Sequence, residues 1–233
     1  RDDAATASVT AAYVKRDLPF FDPLNPDVVA GLETQVDWIL QEVGIAFRDD
    51  PKALEIWRKA GVKPEGDLIK APADWIRALC RKAPSEFTQR ARNPERSVRI
   101  GGAHQVFAPI YGAPFVRDLK QGRRYGDLDS FTKLVKLVQM LPSLHHSGLV
   151  IVEPCDVPVS KRHLDMVYAH MRYTDKPHLG AITEQSRAQD SVGMAEILHG
   201  KEAMDTQCVI LGNVNTNSPL LVDKVVSEAI RTY

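Results

Sequence analysis

The sequence predicts an α/β fold: the first half of a (β/α)8 TIM barrel over residues 105–233, preceded by an N-terminal arm and helical subdomain over residues 1–104. Strands alternate with helices from residue 105 onward, at a spacing typical of a parallel sheet. The predicted strands are continuous apolar runs, as expected when both faces of a sheet are covered. Only 128 residues follow Gln105, whereas a complete barrel needs ~250 residues. We therefore expect a chain truncated halfway round its barrel.

Residues 25–84 carry the signals of three helices. Asn25 suits an N-cap and Pro26 the first helical position, and apolar residues then recur at helical spacing up to Gly44, which suits a C-terminal stop. Two further helices are predicted, from Asp50-Pro51 to Gly61 and from Pro72 to Ala83. These helices make up the predicted subdomain.

Residues 85–104 separate the subdomain from the predicted barrel. This stretch is rich in charged and turn-forming residues, and it predicts a short strand, a turn at Asn93-Pro94, a second short strand and a break at Gly101-Gly102. The boundary between the two predicted domains lies here.

Four β/α units follow. Their strands are predicted to begin near residues 106, 144, 177 and 206, and their helices to span residues 127–141, 160–175, 183–200 and 220–233. Ser160 is the predicted N-cap of the second of these helices. Residues 123–126 (RRYG) are predicted to be a solvated turn. Sequential, right-handed connections predict the strand order 1-2-3-4.

Composition excludes several classes of protein. The chain has 30 basic and 30 acidic side chains, so it lacks the net positive charge that is typical of proteins that bind nucleic acid or an anionic membrane. No apolar run approaches the ~18 residues of a membrane span, and the first residues lack the apolar segment of a signal peptide. The three cysteines are widely spaced and odd in number, which favours a reducing cytoplasm over a disulfide framework.

Ligands of parallel β/α folds lie at the carboxyl ends of the strands. Glu153 ends an apolar strand, where a buried charge needs a partner. Glu153 could bind a substrate. The alternative is a structural role, in which it caps the next helix or pairs with an arginine. Tyr111 and Phe115 follow the first strand, and aromatic faces attract quaternary ammonium groups, although core packing is the commoner role of such residues.

Two further patches contain histidine and asparagine. His145 and His146 are adjacent, so they face opposite sides of a strand and form a poor metal pair. We expect no metal site, and for His146 either a structural or a substrate-orienting role. Asn213 and Asn215 alternate on one face after the fourth strand, where they suit either a carboxylate ligand or turn formation before Pro219.

Longer motifs carry a family resemblance. The segments VFAPIYGAPFVRDLKQGRRYGDLDSF, LHHSG, EPCDVPVSKRHLDMVYAHMRYTDKPHLG and NVNTNSPL resemble the trimethylamine methyltransferase family, and the match extends from about residue 16 to residue 233. The resemblance implies a (β/α)8 barrel with an N-terminal helical extension. It also implies methyl transfer from a methylated amine to cobalt(I) in a separate corrinoid protein, with no cofactor bound directly by this chain.

The positions at the strand ends, together with the substrate class that the resemblance implies, suggest site residues. Glu153 and His146 would be catalytic, and Tyr111, Phe115, Asn213 and Asn215 would bind the substrate. Founding members of the family carry pyrrolysine at a position that would lie beyond residue 233, whereas other members use glycine betaine or similar quaternary amines. We expect a quaternary amine, because it already carries the positive charge that makes its amine a good leaving group.

Several alternatives stay open at this point. The protein could be a trimethylamine methyltransferase proper, or a non-catalytic module that binds a betaine or docks a corrinoid protein. A generic half-barrel enzyme, such as a lyase, would leave the motifs unexplained. We further expect a cytoplasmic homo-oligomer whose truncated form is inactive by itself.

Overall fold

The computed structural model describes residues 12–233, which form two compact units. The first unit contains the described residues up to Arg16 with Glu86–Ala181 and Gln189–Leu211, and the second contains Asp17–Ser85, Ile182–Ala188 and Gly212–Tyr233. The predicted domain division at residue 104 stays a prediction, because compactness does not show which parts fold independently.

The described residues are mixed α and β. The helices are α1 (Pro26–Trp38), α2 (Pro51–Lys59), α3 (Ala73–Cys80), α4 (Leu128–Met140), α5 (Arg162–Tyr173), α6 (Gln185–His199), α7 (Lys201–Thr206) and α8 (Lys224–Thr232). The strands are β1 (Val14–Lys15), β2 (Ile45–Arg48), β3 (Leu68–Ile69), β4 (Glu86–Gln89), β5 (Val98–Gly101), β6 (His104–Gln105), β7 (Phe115–Asp118), β8 (Gly122–Tyr125), β9 (Leu179–Gly180), β10 (Leu211–Gly212) and β11 (Leu221–Asp223). No helix within residues 12–233 is both long and apolar enough to cross a membrane.

The second unit confirms the three helices predicted between residues 25 and 84. The Asn25 side chain accepts a hydrogen bond from Val28 N at 2.9 Å and caps α1. A wider π turn over Ile39–Val43 extends this helix to Gly44. Gly44 has φ +83°, and a Cβ there would lie 2.6 Å from Ile69 O, so only glycine fits the predicted stop.

A three-stranded sheet completes this unit, in the order β11-β2-β3. Strand β2 pairs antiparallel with β3 and parallel with β11. The predicted helix 220–233 is therefore shorter than expected. It begins only after Asp223, whose side chain accepts a hydrogen bond from Val226 N at 2.9 Å. An N-cap carboxylate fixes the start of a helix, and the apolar residues before it join the sheet instead.

In the first unit, residues 85–104 form the predicted strand, turn and strand. Strands β4 and β5 pair antiparallel, and the sheet has the order β1-β6-β5-β4. The turn at Pro94 is a short 3-10 helix capped by the Asn93 side chain. Gly101 and Gly102 both have positive φ, 103° and 52°, which explains the predicted break.

The four predicted parallel strands are only partly regular. Extended backbone replaces most of the first two strands. Gly112 N donates to Val150 O at 2.7 Å, Glu153 N donates to Ala113 O at 2.8 Å, and Ala113 forms an isolated parallel bridge with Val152. The prediction of long strands is wrong here. Prolines in the first segment lack a donor, and Gly148, at φ +70°, breaks the second.

The order of these segments nevertheless follows the chain. Ser147 N donates to Pro177 O at 2.8 Å and Leu179 N donates to Gly148 O at 2.9 Å, which joins the second segment to the third. Strand β9 in turn lies beside β10. The sheets within residues 12–233 are small, and none of them closes into a barrel.

Helices α4 and α5 cover the second segment and create the core of the first unit. Phe131, Val135 and Val167 are fully buried in it, against the apolar residues 149–152. Helix α4 spans nearly the predicted range, and Asp127 caps it by accepting from Ser130 N at 2.7 Å. The core thus places the end of the second segment, and Glu153 with it, at a fixed position.

Two local predictions in this unit are wrong. Helix α5 begins at Arg162 after Lys161, which makes no side-chain cap, so Ser160 is not its N-cap. Residues 122–125 form a strand rather than a solvated turn, and β7 and β8 pair as an antiparallel hairpin. Gly122, at φ +66°, lets a tight turn connect the two strands, and this local geometry outweighs the charge of the segment.

Candidate functional site

The candidate site lies where the first two extended segments end. The hydrogen bond from Glu153 N to Ala113 O holds the backbone of Glu153 beside the segment that carries Tyr111. The Tyr111 side chain is about half exposed, and the Glu153 side chain is one-third exposed. Burial raises the pKa of the Tyr111 hydroxyl, and the nearby negative charge of Glu153 raises it further. An aromatic ring and a carboxylate therefore share one partly open site.

An arginine from α5 orients the carboxylate. Arg162 Nη1 donates to Glu153 Oε2 at 3.1 Å, while Arg162 Nε and Nη2 donate to Val157 O at 3.2 and 3.0 Å. Within the described part of the chain, Glu153 Oε1 makes no hydrogen bond. One oxygen is thus fixed by the arginine, and the other is available to a ligand. The sequence indicates an arginine partner only in general terms, because the loop that brings Arg162 back to Glu153 has no sequence signature.

Phe115 lies on the hairpin, where its ring has intramolecular partners. The Arg123 guanidinium carbon lies 3.8 Å from the centre of the Phe115 ring, and the Tyr125 ring centre lies 4.7 Å away. One face of Phe115 therefore already binds a cation. A substrate ammonium group would have to use another part of the ring or displace Arg123.

His146 is buried and fully hydrogen-bonded. Its Nδ1 accepts from Gly148 N at 2.8 Å, so Nε2 carries the proton and donates to Gln89 Oε1 at 3.0 Å. Burial, with a smaller contribution from His170, lowers the pKa of His146 to about 4. A neutral imidazole with both nitrogens engaged favours the structural role over direct contact with a substrate.

His146 belongs to a buried polar cluster that the sequence pattern does not reveal. Ser147 Oγ donates to His170 Nδ1 at 2.7 Å, and His170 Nε2 donates to Leu149 O at 2.8 Å. The His178 ring stacks on His170 with its centre 5.7 Å away. Burial lowers the pKa of His170 to about 4 and that of His178 well below its ordinary value. These side chains come from three separate segments, so no spacing in the sequence connects them.

Asn213 and Asn215 lie in the second unit. Both are exposed, and neither makes a hydrogen bond with another residue in the described range. The neighbouring Asn217 Oδ1 accepts a hydrogen bond from Asp223 N at 3.2 Å, so this asparagine has the turn-forming role that was the alternative to ligand binding. No group of three or more histidine, cysteine, aspartate or glutamate side chains within residues 12–233 is arranged to hold a metal ion.

Comparisons with known proteins add a family and two relatives. The sequence model of the trimethylamine methyltransferase family matches residues 1–233. The chain is 37% identical over 217 residues to a glycine betaine methyltransferase of Desulfitobacterium hafniense (strain Y51), a match that covers 93% of this chain and 45% of the relative. It is 27% identical over 196 residues to a proline betaine:corrinoid methyltransferase of Eubacterium limosum, covering 78% of this chain and 39% of that protein. The chain thus spans less than half the length of these relatives.

Proposed function

This chain belongs to the trimethylamine methyltransferase family, and we propose that it transfers a methyl group from a quaternary amine, in particular a betaine, to the cobalt of a corrinoid protein. Both relatives are named for betaines, and one is named for a corrinoid acceptor. The observation that carries the proposal is the pairing of Tyr111 with a carboxylate, Glu153, that has one free oxygen.

The proposed reaction is a displacement at a methyl carbon. The C–N bond breaks and leaves its electron pair on nitrogen, while cobalt(I) supplies the pair for the new bond and becomes cobalt(III). A betaine thereby releases a neutral tertiary amine, whereas neutral trimethylamine would have to release an amide anion unless it is first made cationic. A quaternary substrate therefore needs positioning rather than a proton donor.

The proposed role of the site is to hold a cation. Glu153 Oε1 attracts the ammonium group, and the Tyr111 ring offers it an aromatic face. Arg162 fixes the carboxylate through Nη1 and Val157 O, so that the ammonium group meets an oriented oxygen. The roles of Asn213 and Asn215 stay predictions, and Phe115 is a candidate for a further contact with the substrate. We propose that His146 is a positioning residue that acts through its hydrogen bonds to Gln89 and Gly148.

We also propose that the four extended segments are the first half of a (β/α)8 barrel, with residues 1–104 as a separate subdomain. The order in which the segments neighbour one another supports the proposal. The three cysteines are free, which suits the proposed cytoplasmic location. A crystal structure of the full-length protein would contradict the barrel if residues 107–113 and 208–212 lay in separate sheets.

Methyl transfer can be measured directly. The full-length protein is incubated with glycine betaine and cob(I)alamin under strictly anaerobic conditions, and the loss of the cobalt(I) absorbance is followed together with mass spectrometry of the demethylated amine. We expect turnover with glycine betaine and none without it. Binding of glycine betaine without transfer to free or protein-bound corrinoid would support the non-catalytic alternative. Turnover with trimethylamine but with no betaine would support a trimethylamine methyltransferase proper.

A further inference from the structure

Apart from Phe115, the hairpin formed by β7 and β8, residues 115–125, is not used by the proposed chemistry. Its connection consists of Leu119, Lys120 and Gln121 and has a fixed shape. The Asp118 Oδ1 accepts hydrogen bonds from the backbone N of Lys120 at 2.9 Å and of Gln121 at 2.7 Å, and Gly122 supplies the positive φ. This preorganised turn leaves Leu119 fully exposed at the tip.

The hairpin is also a local concentration of positive charge. Residues 115–125 contain four basic side chains, Arg117, Lys120, Arg123 and Arg124, and one acidic side chain, Asp118, which gives a net charge of +3 in a chain whose overall charge is zero. Arg124 pairs with Asp118 at 2.7 Å. Arg117 and Lys120, by contrast, make no ion pair with any residue of the described chain. Their charge faces solvent without compensation.

The base of the hairpin is attached to the candidate site. Gly126 N donates to Pro114 O at 3.1 Å, and Cys155 N donates to Gly126 O at 2.9 Å. The backbones approach so closely that a Cβ at Gly126 would lie 2.5 Å from Glu153 O. The base of the hairpin is therefore fixed against the backbone of Glu153, so a partner that brings a methyl acceptor to Glu153 approaches the surface next to the hairpin.

We propose that this hairpin docks the corrinoid protein, with Leu119 as an apolar contact and with Arg117 and Lys120 facing an acidic surface on that protein. The inference rests on the proposed function, since it assumes a protein-borne acceptor. A single exposed leucine is ordinary on a protein surface. Here the leucine is combined with uncompensated charge, a rigid turn and attachment to the site. Rigidity lowers the entropic cost of binding, and the charge steers a partner of opposite sign.

The test compares two acceptors of the methyl group from glycine betaine. One is free cob(I)alamin, and the other is the cobalt(I) form of a corrinoid protein that serves a betaine methyltransferase; both are tested with the full-length protein. There are two variants. The first combines the charge reversals Arg117→Glu and Lys120→Glu, and the second is Leu119→Ala. Matched controls are Lys201→Glu and Ile197→Ala, which change an exposed charge on α7 and an 84% exposed apolar side chain on α6.

We expect the charge reversal to raise KM for the corrinoid protein about 10-fold or more at low salt, and this effect to shrink as salt is added. Leu119→Ala should raise the same KM by about three- to tenfold. Neither change should alter transfer to free cob(I)alamin, and the controls should behave like the wild type with both acceptors. Thermal unfolding verifies that each variant is folded.

Three results would overturn the inference. If KM for the corrinoid protein stays at the wild-type value in both hairpin variants, the hairpin is not the docking surface. If both acceptors are affected equally, the hairpin acts on the substrate site and not on a partner. If the wild-type protein methylates neither acceptor, the proposed function itself fails, and the docking inference fails with it.

Discussion

Replacing Glu153 by glutamine keeps the shape of the side chain and removes its charge. A carboxylate about 5 Å from an ammonium nitrogen contributes about 3 kcal/mol at an effective dielectric constant of about 20. The Arg162 guanidinium, 3.1 Å from Oε2, cancels part of this field, and solvent reaches a side chain that is 34% exposed. A net loss of about 1.4–2.7 kcal/mol remains, so methyl transfer should fall by roughly 10- to 100-fold.

The assay is methyl transfer by the full-length protein from glycine betaine to cob(I)alamin, with kcat and KM determined separately. Glu196→Gln is the matched control, because Glu196 is an exposed glutamate on α6. Thermal unfolding of both variants shows whether any loss reflects a displaced Arg162 rather than a missing charge. Transfer by the Glu153→Gln protein at the wild-type rate would refute the argument that this carboxylate holds the substrate cation.

Three further predictions concern the fold that supports the site. Lys176 is 5% exposed, and its Nζ donates to Val138 O, Leu141 O and Leu144 O at 2.6–2.8 Å. Burial lowers its pKa to about 8, so it is still charged at pH 7. Lys176→Met should lower the free energy of unfolding, measured in urea, by about 3 kcal/mol or more, because three buried carbonyl oxygens lose their donor. An unchanged free energy of unfolding would show that water replaces the lysine as donor. Asp50, 2% exposed, accepts from Ala53 N, Ser227 and Arg231. Asp50→Ala should cost about 2–4 kcal/mol on the same measurement by leaving Arg231 unpaired, and a loss no larger than that of an exposed Asp205→Ala control would contradict this. Finally, folding lowers the pKa of His146 and His170 to about 4. As the pH falls below 6.5, these histidines are therefore protonated in the unfolded chain before they are protonated in the folded one. Stability should then drop between pH 6.5 and 4, by about 2 kcal/mol for each histidine at pH 5, and a His146→Gln protein with the same pH dependence as the wild type would argue against this cause.

The sequence alone determined much of the local structure. Caps and stops specify helix ends through short-range hydrogen bonds, which is why Asn25, Gly44 and Asp127 act as expected or within a residue of the predicted ends. The antiparallel strands around Asn93-Pro94 follow in the same way, since turn formers act over a few residues. The motifs by themselves also indicate the family, because long motifs in a fixed order are rare by chance.

The tertiary structure decided the rest, because the decisive contacts join residues that are distant in sequence. The first two predicted strands do not form as regular strands, although their sequences are continuous apolar runs. Prolines and the positive φ of Gly148 interrupt the hydrogen bonding between them. The sequence placed Glu153 at the end of a strand, but only the structure showed that Arg162 binds one of its oxygens and leaves the other free. Likewise, apolar periodicity could not show that His146, Gln89 and Gly148 meet in the interior, since burial and hydrogen-bond partners depend on how whole segments pack.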